Sequence, residues 1–224
     1  MNDDYIVKLG NVRKTFGDFM VFDDVSFGIK RRETVSICGD SGSGKTTLVN
    51  VIGLLEQPTH GRIFWNGKSV INQKMSYVAK LRSEMFGYIF QRCNLILELN
   101  VIENLLFPRR IADKIDSGDV AFAKKLLNQV KLDGFEERNV STLSGGERQR
   151  VAAIRAMMNN PRVIIADEPT GSLDEKSANL VMDMIINLCD TYDSSLLLIT
   201  HNPRFAQKMQ TAYVLSNCTL TRVE

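Results

Sequence analysis

The chain has 224 residues, 44% hydrophobic and 24% charged, with a formal net charge of +2. This is ordinary globular composition, enough to bury a full core as one large domain or as one domain with an insertion. So small a net charge, without a Lys/Arg block, argues against a nucleic-acid partner, and the two dense basic spots, Lys30-Arg31-Arg32 and Pro108-Arg109-Arg110, read as solvated turns. The cysteines Cys38, Cys93, Cys189 and Cys218 show no C-x-x-C spacing. Apolar surroundings make Cys38 and Cys189 expected core residues in a reducing compartment. The acidic start, Met1-Asn2-Asp3-Asp4, is followed by no long apolar stretch, and the longest clean apolar run, Leu196-Leu197-Leu198-Ile199, is strand-sized. Neither a signal peptide nor a membrane span is expected.

From about Tyr5 to Val35 apolar and polar residues tend to alternate, which predicts several short strands of a mainly antiparallel layer. Within it, Lys14-Thr15-Phe16-Gly17 places an aromatic just before a turn, where local evidence favours a core Phe. A β-branched run, Val35 to Cys38, then meets Gly39-Asp40-Ser41-Gly42-Ser43-Gly44-Lys45-Thr46-Thr47 and a helix-like stretch from Leu48 to Leu55. The order strand, glycine loop, helix is what phosphate binding needs. Backbone N–H groups can wrap a phosphate only where no Cβ intervenes, and the helix N-terminus adds a positive dipole. Lys45 is expected to reach the β- and γ-phosphates, and the Thr46 hydroxyl to bind Mg²⁺.

Gln57-Pro58-Thr59-His60-Gly61 signals a turn, and Arg62 to Lys68 reads as a hairpin strand ending in Asn66-Gly67. Ser76 to Glu84 has a weak helical pattern, and Phe86 to Phe90 is a short aromatic strand that delivers Gln91. From Arg92 to Val140 helical spacing takes over, with Val101, Leu105 and Leu106 in one segment and Val120, Ala123, Leu126, Leu127 and Val130 in another. This helical insertion is too long to be a loop.

Ser144-Gly145-Gly146-Glu147 opens a helix with Val151, Ile154 and Met158 on one face, and Ser144 is its expected N-cap. A Ser hydroxyl and two unobstructed Gly N–H groups at a helix N-terminus also form a second anion site. Two phosphate cradles on one core suggest that two copies share a nucleotide. Val163 to Glu168 is an apolar run of buried parallel-strand type ending in two carboxylates. At such a sheet edge Asp167 is placed to hold Mg²⁺ and Glu168 to polarise a water as general base. Pro169 to Asp174 is a turn, with Asp174 a cap for the helix from Glu175 to about Cys189. A further buried strand, Ser195 to Thr200, ends on His201, where a neutral imidazole could bond a γ-phosphate. The remaining segments, Tyr213 to Asn217 and Thr219 to Val223, read as a closing hairpin.

Taken together, these stretches resemble the nucleotide-binding subunit of ABC transporters, over essentially the whole chain. Gly39 to Thr46 is similar to Walker A, Gln91 to the Q-loop, and Leu143 to Glu147 to the signature. Asp167 and Glu168 are similar to the end of Walker B with its catalytic carboxylate, Ser172 to Asp174 to the D-loop, and His201 to the switch histidine. By position Phe16 then resembles the aromatic that stacks on adenine, which reverses the local preference for a core Phe. The wording Leu143 to Ala152 and Ala166 to Asp174 looks closest to the branch containing the lipoprotein-releasing LolD, macrolide-exporter MacB and cell-division FtsE ATPases.

The resemblance implies an α/β fold: a P-loop NTPase core, residues 1–91 and 141–224, with an N-terminal antiparallel β layer, and a helical subdomain at 92–140. It implies ATP with Mg²⁺, the ion held by Thr46, Gln91 and Asp167. Glu168, His201, Lys45 and Gln91 would be catalytic. Phe16, the loop from Gly39 to Thr47, and Ser144 to Glu147 would bind nucleotide. It further implies a head-to-tail dimer on the cytoplasmic face of a membrane, driving a permease docked near Gln91 to Asn104, with room for a periplasmic adaptor. An ATPase regulating a periplasmic process without transport remains the alternative; a soluble ATPase acting on DNA or ribosomes would be expected to carry coiled-coil insertions, tandem cassettes or basic arms. Three positions depart from the family pattern: Arg32 where Gly is common, Thr46 for the more frequent Ser, and Asn202 where Asp usually follows the histidine.

Overall fold

In a computed structural model of the chain, residues 4–111 and 115–223 are described. Most of the acidic N-terminal stretch and residues 112–114 of the expected helical insertion lie outside them. The antiparallel layer has the strand order β2-β1-β4-β5, built from β1 (Tyr5–Phe16), β2 (Phe19–Lys30), β4 (His60–Trp65) and β5 (Lys68–Ser69). The expected run of several short strands is instead two strands of 12 residues each. The polar punctuation that suggested breaks is absorbed as bulges. The β1–β2 register shifts between Leu9 and Val12, and Asn11 and Asp24 take left-handed φ values of 52° and 50°. The Asn66-Gly67 turn is as expected: both residues have positive φ, 47° and 75°, and Trp65 pairs with Lys68 across them.

The second sheet has the order β10-β9-β3-β8-β7-β6. Its strands β3 (Thr34–Cys38), β6 (Phe86–Phe90), β7 (Val163–Asp167), β8 (Ser195–Ile199) and β9 (Thr211–Ser216) run parallel, and β10 (Thr219–Val223) closes the edge as an antiparallel hairpin partner. Side chains on β7 and β8 alternate between two cores. Val163, Ile165, Leu197 and Ile199 pack with the antiparallel layer and α1 (Lys45–Ile52). Ile164, Ala166, Leu196 and Leu198 pack with α3 (Val101–Ile111), α4 (Ser117–Gln129), α5 (Gly145–Met157) and α6 (Glu175–Thr191). Covered on both faces, these strands read as continuous apolar runs, and the arrangement aligns their carboxyl ends at one edge. Trp65 anchors the first core, 1% exposed, with its indole N–H donating to the Ile52 carbonyl at 3.0 Å.

Two expectations are corrected. Pro108-Arg109-Arg110 is not a turn but lies inside α3, where Arg109 pairs with the buried Asp119 at 2.8 Å and fastens the helix to α4. Cys38 is only half-buried; the buried thiols are Cys93 and Cys189, and burial pushes Cys189 up to about 12. The remaining helices are α2 (Met75–Met85) and the short α7 (Pro203–Ala206). Among the described residues no helix is long and apolar enough to cross a membrane.

Candidate active site

The loop from Gly39 to Gly44 joins the end of β3 to α1, and its geometry demands glycine at both of its ends. A Cβ on Gly39 would stand 2.4 Å from the Leu215 carbonyl oxygen, and one on Gly44, whose φ is 97°, would stand 2.5 Å from Val21. Lys45 Nζ donates to the Gly39 and Asp40 carbonyls at 2.7 Å each, which fixes the ammonium at the mouth of the loop with its third donor free. Among the described residues Ser43 Oγ is buried with no hydrogen-bond partner. An orphaned hydroxyl in the loop between β3 and α1 suits an incoming anion.

A cleft of about 520 Å³ opens beside this loop, lined by Ser41, Gly42, Gly44, Lys45, Thr46 and Thr47, by Gln91, Asp167, Glu168 and His201, and by Phe16, Phe19 and Val21. The structure thus gathers residues that are far apart in sequence at the carboxyl edge of the parallel sheet. Asp167 ends β7. Burial first, then the charge of Glu168, hold its carboxyl above the ordinary aspartate value, with Lys45 opposing. Glu168 follows with φ 46°, a strained conformation for a non-glycine residue. Its N–H donates to the Ile199 carbonyl at 2.9 Å, tying it to β8. Its carboxylate is 18% exposed and lies 2.8 Å from His201 Nδ1, the imidazole itself being 71% exposed. If Nδ1–H donates to Glu168, a neutral ring presents a lone pair at Nε2, so bridging from Glu168 to an anion requires the imidazolium.

Gln91 leaves β6 with its amide against the turn after β7: a Cβ on Gly171 would meet Gln91 Nε2 at 2.8 Å. The Thr46 hydroxyl, the Gln91 amide and the Asp167 carboxylate share the cleft, and they are the hard oxygen donors that suit Mg²⁺. Phe16 is 51% exposed at the end of β1 and lines the cleft, so it is not a core Phe.

Sequence reasoning passed over Phe19 and Val21. The signal was present, because Phe16-Gly17-Asp18-Phe19 is a two-residue hairpin that pairs Phe16 with Phe19, and Val21 lies two residues further along β2.

Ser144, Gly145, Gly146 and Glu147 do not line this cleft. Ser144 caps α5 in a reciprocal box: its Oγ accepts from the Glu147 N–H at 3.3 Å and its own N–H donates to Glu147 Oε2 at 2.7 Å. These bonds hold the Glu147 carboxyl below its usual range. The first-turn amides of Gly145 and Gly146 have no acceptor within the helix. Gly145 faces the turn before α6 and Gly146 the first turn of α6, with Leu173 3.5 Å from a Cβ on Gly145 and Ser177 3.8 Å from one on Gly146. Within one chain, therefore, the glycine loop and the N-terminus of α5 do not share a cleft.

The family model described as "ABC transporter" matches residues 22–171, more than half of the chain. The chain belongs to the ABC transporter ATP-binding family. It is therefore an ATP-binding, ATP-hydrolysing transport subunit. This ABC chain is 36% identical over 216 residues to the lipoprotein-releasing system ATP-binding protein LolD of Buchnera aphidicola subsp. Acyrthosiphon pisum, covering 95% of each. It is 37% identical over 218 residues to the LolD protein of Francisella tularensis subsp. tularensis (strain FSC 198), covering 95% of this chain and 94% of that one. Among solved structures it is similar to the dimeric ATP-binding cassette MJ0796 in a post-hydrolysis state bound to ADP and Pi, with a TM-score of 0.85, 32% identity, and 97% of this chain and 99% of that one covered.

Both departures from the family pattern outside the cleft are accommodated. Arg32 adopts φ 61°, the conformation for which the usual glycine is suited, and its side chain reaches Asp193 at 2.7 Å. Asn202 caps α7 by accepting from the Arg204 N–H at 3.0 Å, a role its amide oxygen fills as well as a carboxylate would.

Proposed function

We propose that the chain is the ATPase of a lipoprotein-releasing machine, working as a head-to-tail dimer that binds two ATP molecules between the glycine loop of one copy and Ser144, Gly145 and Gly146 of the other. The observation that carries the catalytic part is the Glu168–His201 contact of 2.8 Å at the edge of the cleft that the glycine loop lines. Glu168 takes the proton of the attacking water. His201 orients Glu168 and answers to the γ-phosphate, and Lys45 with the loop amides holds the phosphate tail. Thr46, Gln91 and Asp167 would hold Mg²⁺, which when bound neutralises charge on the β- and γ-phosphate oxygens. Phe16 stacks on adenine. The physical reason for the dimer is the separation of the two anion sites in one chain; each cleft is completed by a second copy.

Identity to the LolD proteins over nearly the whole chain supports the lipoprotein-release branch over efflux or cell division. On this reading residues 1–91 and 141–224 form the ATPase core and 92–140 a helical subdomain. The chain sits on the cytoplasmic face of the inner membrane, held by a permease that docks between Gln91 and Asn104, and a periplasmic adaptor completes the system. The test is Glu168→Gln. It is expected to keep ATP binding, lower turnover by about a hundredfold or more, and accumulate an ATP-bound dimer on size exclusion. Near-normal turnover would remove Glu168 as the base. Purification of that variant from solubilised membranes should recover a permease with few spans and a large extracytoplasmic domain.

A further inference from the structure

Lys14 lies on β1 two residues before Phe16, and its ammonium stands over the Phe16 ring, 4.5 Å from the centroid. Several groups hold it there. Lys14 Nζ donates to the Gln57 carbonyl at 2.9 Å and faces Glu56 Oε2 at 3.3 Å, and only 12% of the lysine side chain is exposed. Glu56 Oε1 accepts from Asn50 Nδ2 at 3.2 Å, and Asn50 belongs to α1, the helix that begins at Lys45. A side-chain relay therefore runs from the helix behind the glycine loop, through Glu56 and Lys14, to one face of the Phe16 ring.

We propose that Lys14 is a positioning residue for the nucleotide base, holding the Phe16 ring from one face so that the opposite face receives the purine. The inference rests on the reading of Phe16 as the base platform. A ring whose one face is occupied by a fixed cation has one face left for stacking. The cation also draws on the π-electrons of the ring and favours an electron-rich partner on the far side. A ring held in place before binding loses less rotamer freedom when the base arrives, so the arrangement adds affinity by preorganisation. The same relay sets the distance between base platform and phosphate loop, because Lys14 and Lys45 are tied to the two ends of one helix. Nothing in it touches Glu168 or the reacting phosphate, so its loss should be felt in binding and not in the chemical step.

The experiment uses the full chain, with calorimetric binding of ADP and of tripolyphosphate, which has no base, alongside steady-state hydrolysis. Lys14→Met should weaken ADP binding and raise KM for ATP by about three- to tenfold. In that variant kcat should stay within about twofold and tripolyphosphate binding should be unchanged. Lys14→Arg, which restores a cation over the ring, should recover most of the loss. Because Lys14→Met leaves the Glu56 carboxylate without its partner, Lys14→Met with Glu56→Gln repeats the measurement free of that defect. Unchanged ADP affinity in both variants overturns the proposal. Equal weakening of ADP and tripolyphosphate also overturns it, since that would place the effect in the phosphate loop. Phe16→Ala separates the two levels. If it leaves ADP affinity intact, the base-platform reading itself fails; if it weakens ADP while Lys14→Met does not, only the role of Lys14 is lost.

Discussion

Asn104 is 0% exposed in α3 and organises the segment that follows Gln91, which makes it the best place to perturb that segment without touching the cleft. Its Oδ1 accepts from the Ile96 N–H at 2.8 Å, and its Nδ2 donates to the carbonyls of Ile96, Asn100 and Leu99 at 3.0, 3.0 and 3.3 Å. Replacement by Leu keeps the volume and removes all four bonds. Two of the carbonyls keep a partner, since Ile96 O still accepts from the Leu99 N–H and Asn100 O from the backbone N–H of residue 104. The Ile96 N–H and the Leu99 carbonyl lose theirs, at about 1–3 kcal/mol each, reduced by partial solvation and by the apolar burial gained. The net loss should be about 2–3 kcal/mol, or a fall in Tm of roughly 4–12 °C for a domain of this size. Asn104→Asp should be worse, because it turns a carboxylate toward three carbonyls in a pocket closed to water. Urea unfolding followed by far-UV dichroism and by the fluorescence of Trp65, which lies in the other core, measures both variants. Stability of Asn104→Leu within about 0.5 kcal/mol of the parent, or an Asp variant more stable than the Leu one, would refute this reasoning.

Three further outcomes are expected. Arg32→Gly relieves a positive-φ residue but forfeits an exposed ion pair and adds unfolded-state entropy, so thermal unfolding should show a change within about 1 kcal/mol of zero. Asp167→Asn should raise the Tm of the nucleotide-free protein at pH 7 while abolishing hydrolysis. The carboxyl is held above its ordinary value of 3.8, so the folded state binds the proton more tightly and loses stability as pH rises through that window. The gain should therefore vanish in unfolding curves taken below the ordinary value. Arg155 donates from Nη1 to the Asn94 carbonyl at 2.6 Å and from Nη2 to the Cys93 carbonyl at 2.9 Å; Lys lacks this planar fork and is shorter, so Arg155→Lys should speed hydrogen exchange in residues 92–100 by about tenfold and leave α1 unchanged.

Much of this fold was legible because local patterns and tertiary context agree. Asn66-Gly67, Asp174 before α6, and the apolar runs ending in Asp167 and Ile199 each fix one element by a short-range physical rule. The misreadings share a cause. Asn11 and Asp24 look like turn residues, yet in a long twisted hairpin they serve as bulges, which only the partner strand reveals. Pro108 looks like a breaker, but the Arg109–Asp119 pair and the packing of Leu105 and Leu106 hold α3 together around it. In the cleft, the glycine loop was readable from its glycine spacing between an apolar strand and a helix. The contact between Glu168 and His201 was not, since it depends on β7 and β8 being adjacent and in register, Asp167 opposite Ile199.

The cleft is also tied to α5 through the backbone around Gln91. Gln149 of α5, 1% exposed, donates from Nε2 to the Phe90 carbonyl at 3.1 Å and accepts from Cys93 Sγ at 2.6 Å, while Arg155, about one and two-thirds turns further along, holds Cys93 and Asn94. The helix whose first turn presents Gly145 and Gly146 therefore grips the backbone on both sides of Gln91. A displacement of Gln91 cannot be absorbed by the loop alone; either α5 moves with it or buried hydrogen bonds break at about 1–3 kcal/mol each. Since Gln91 also lies against Gly171 in the turn that follows Glu168, the carboxylate edge, the Gln91 segment and the N-terminus of α5 form one mechanical unit, with the buried Gln149 at its centre.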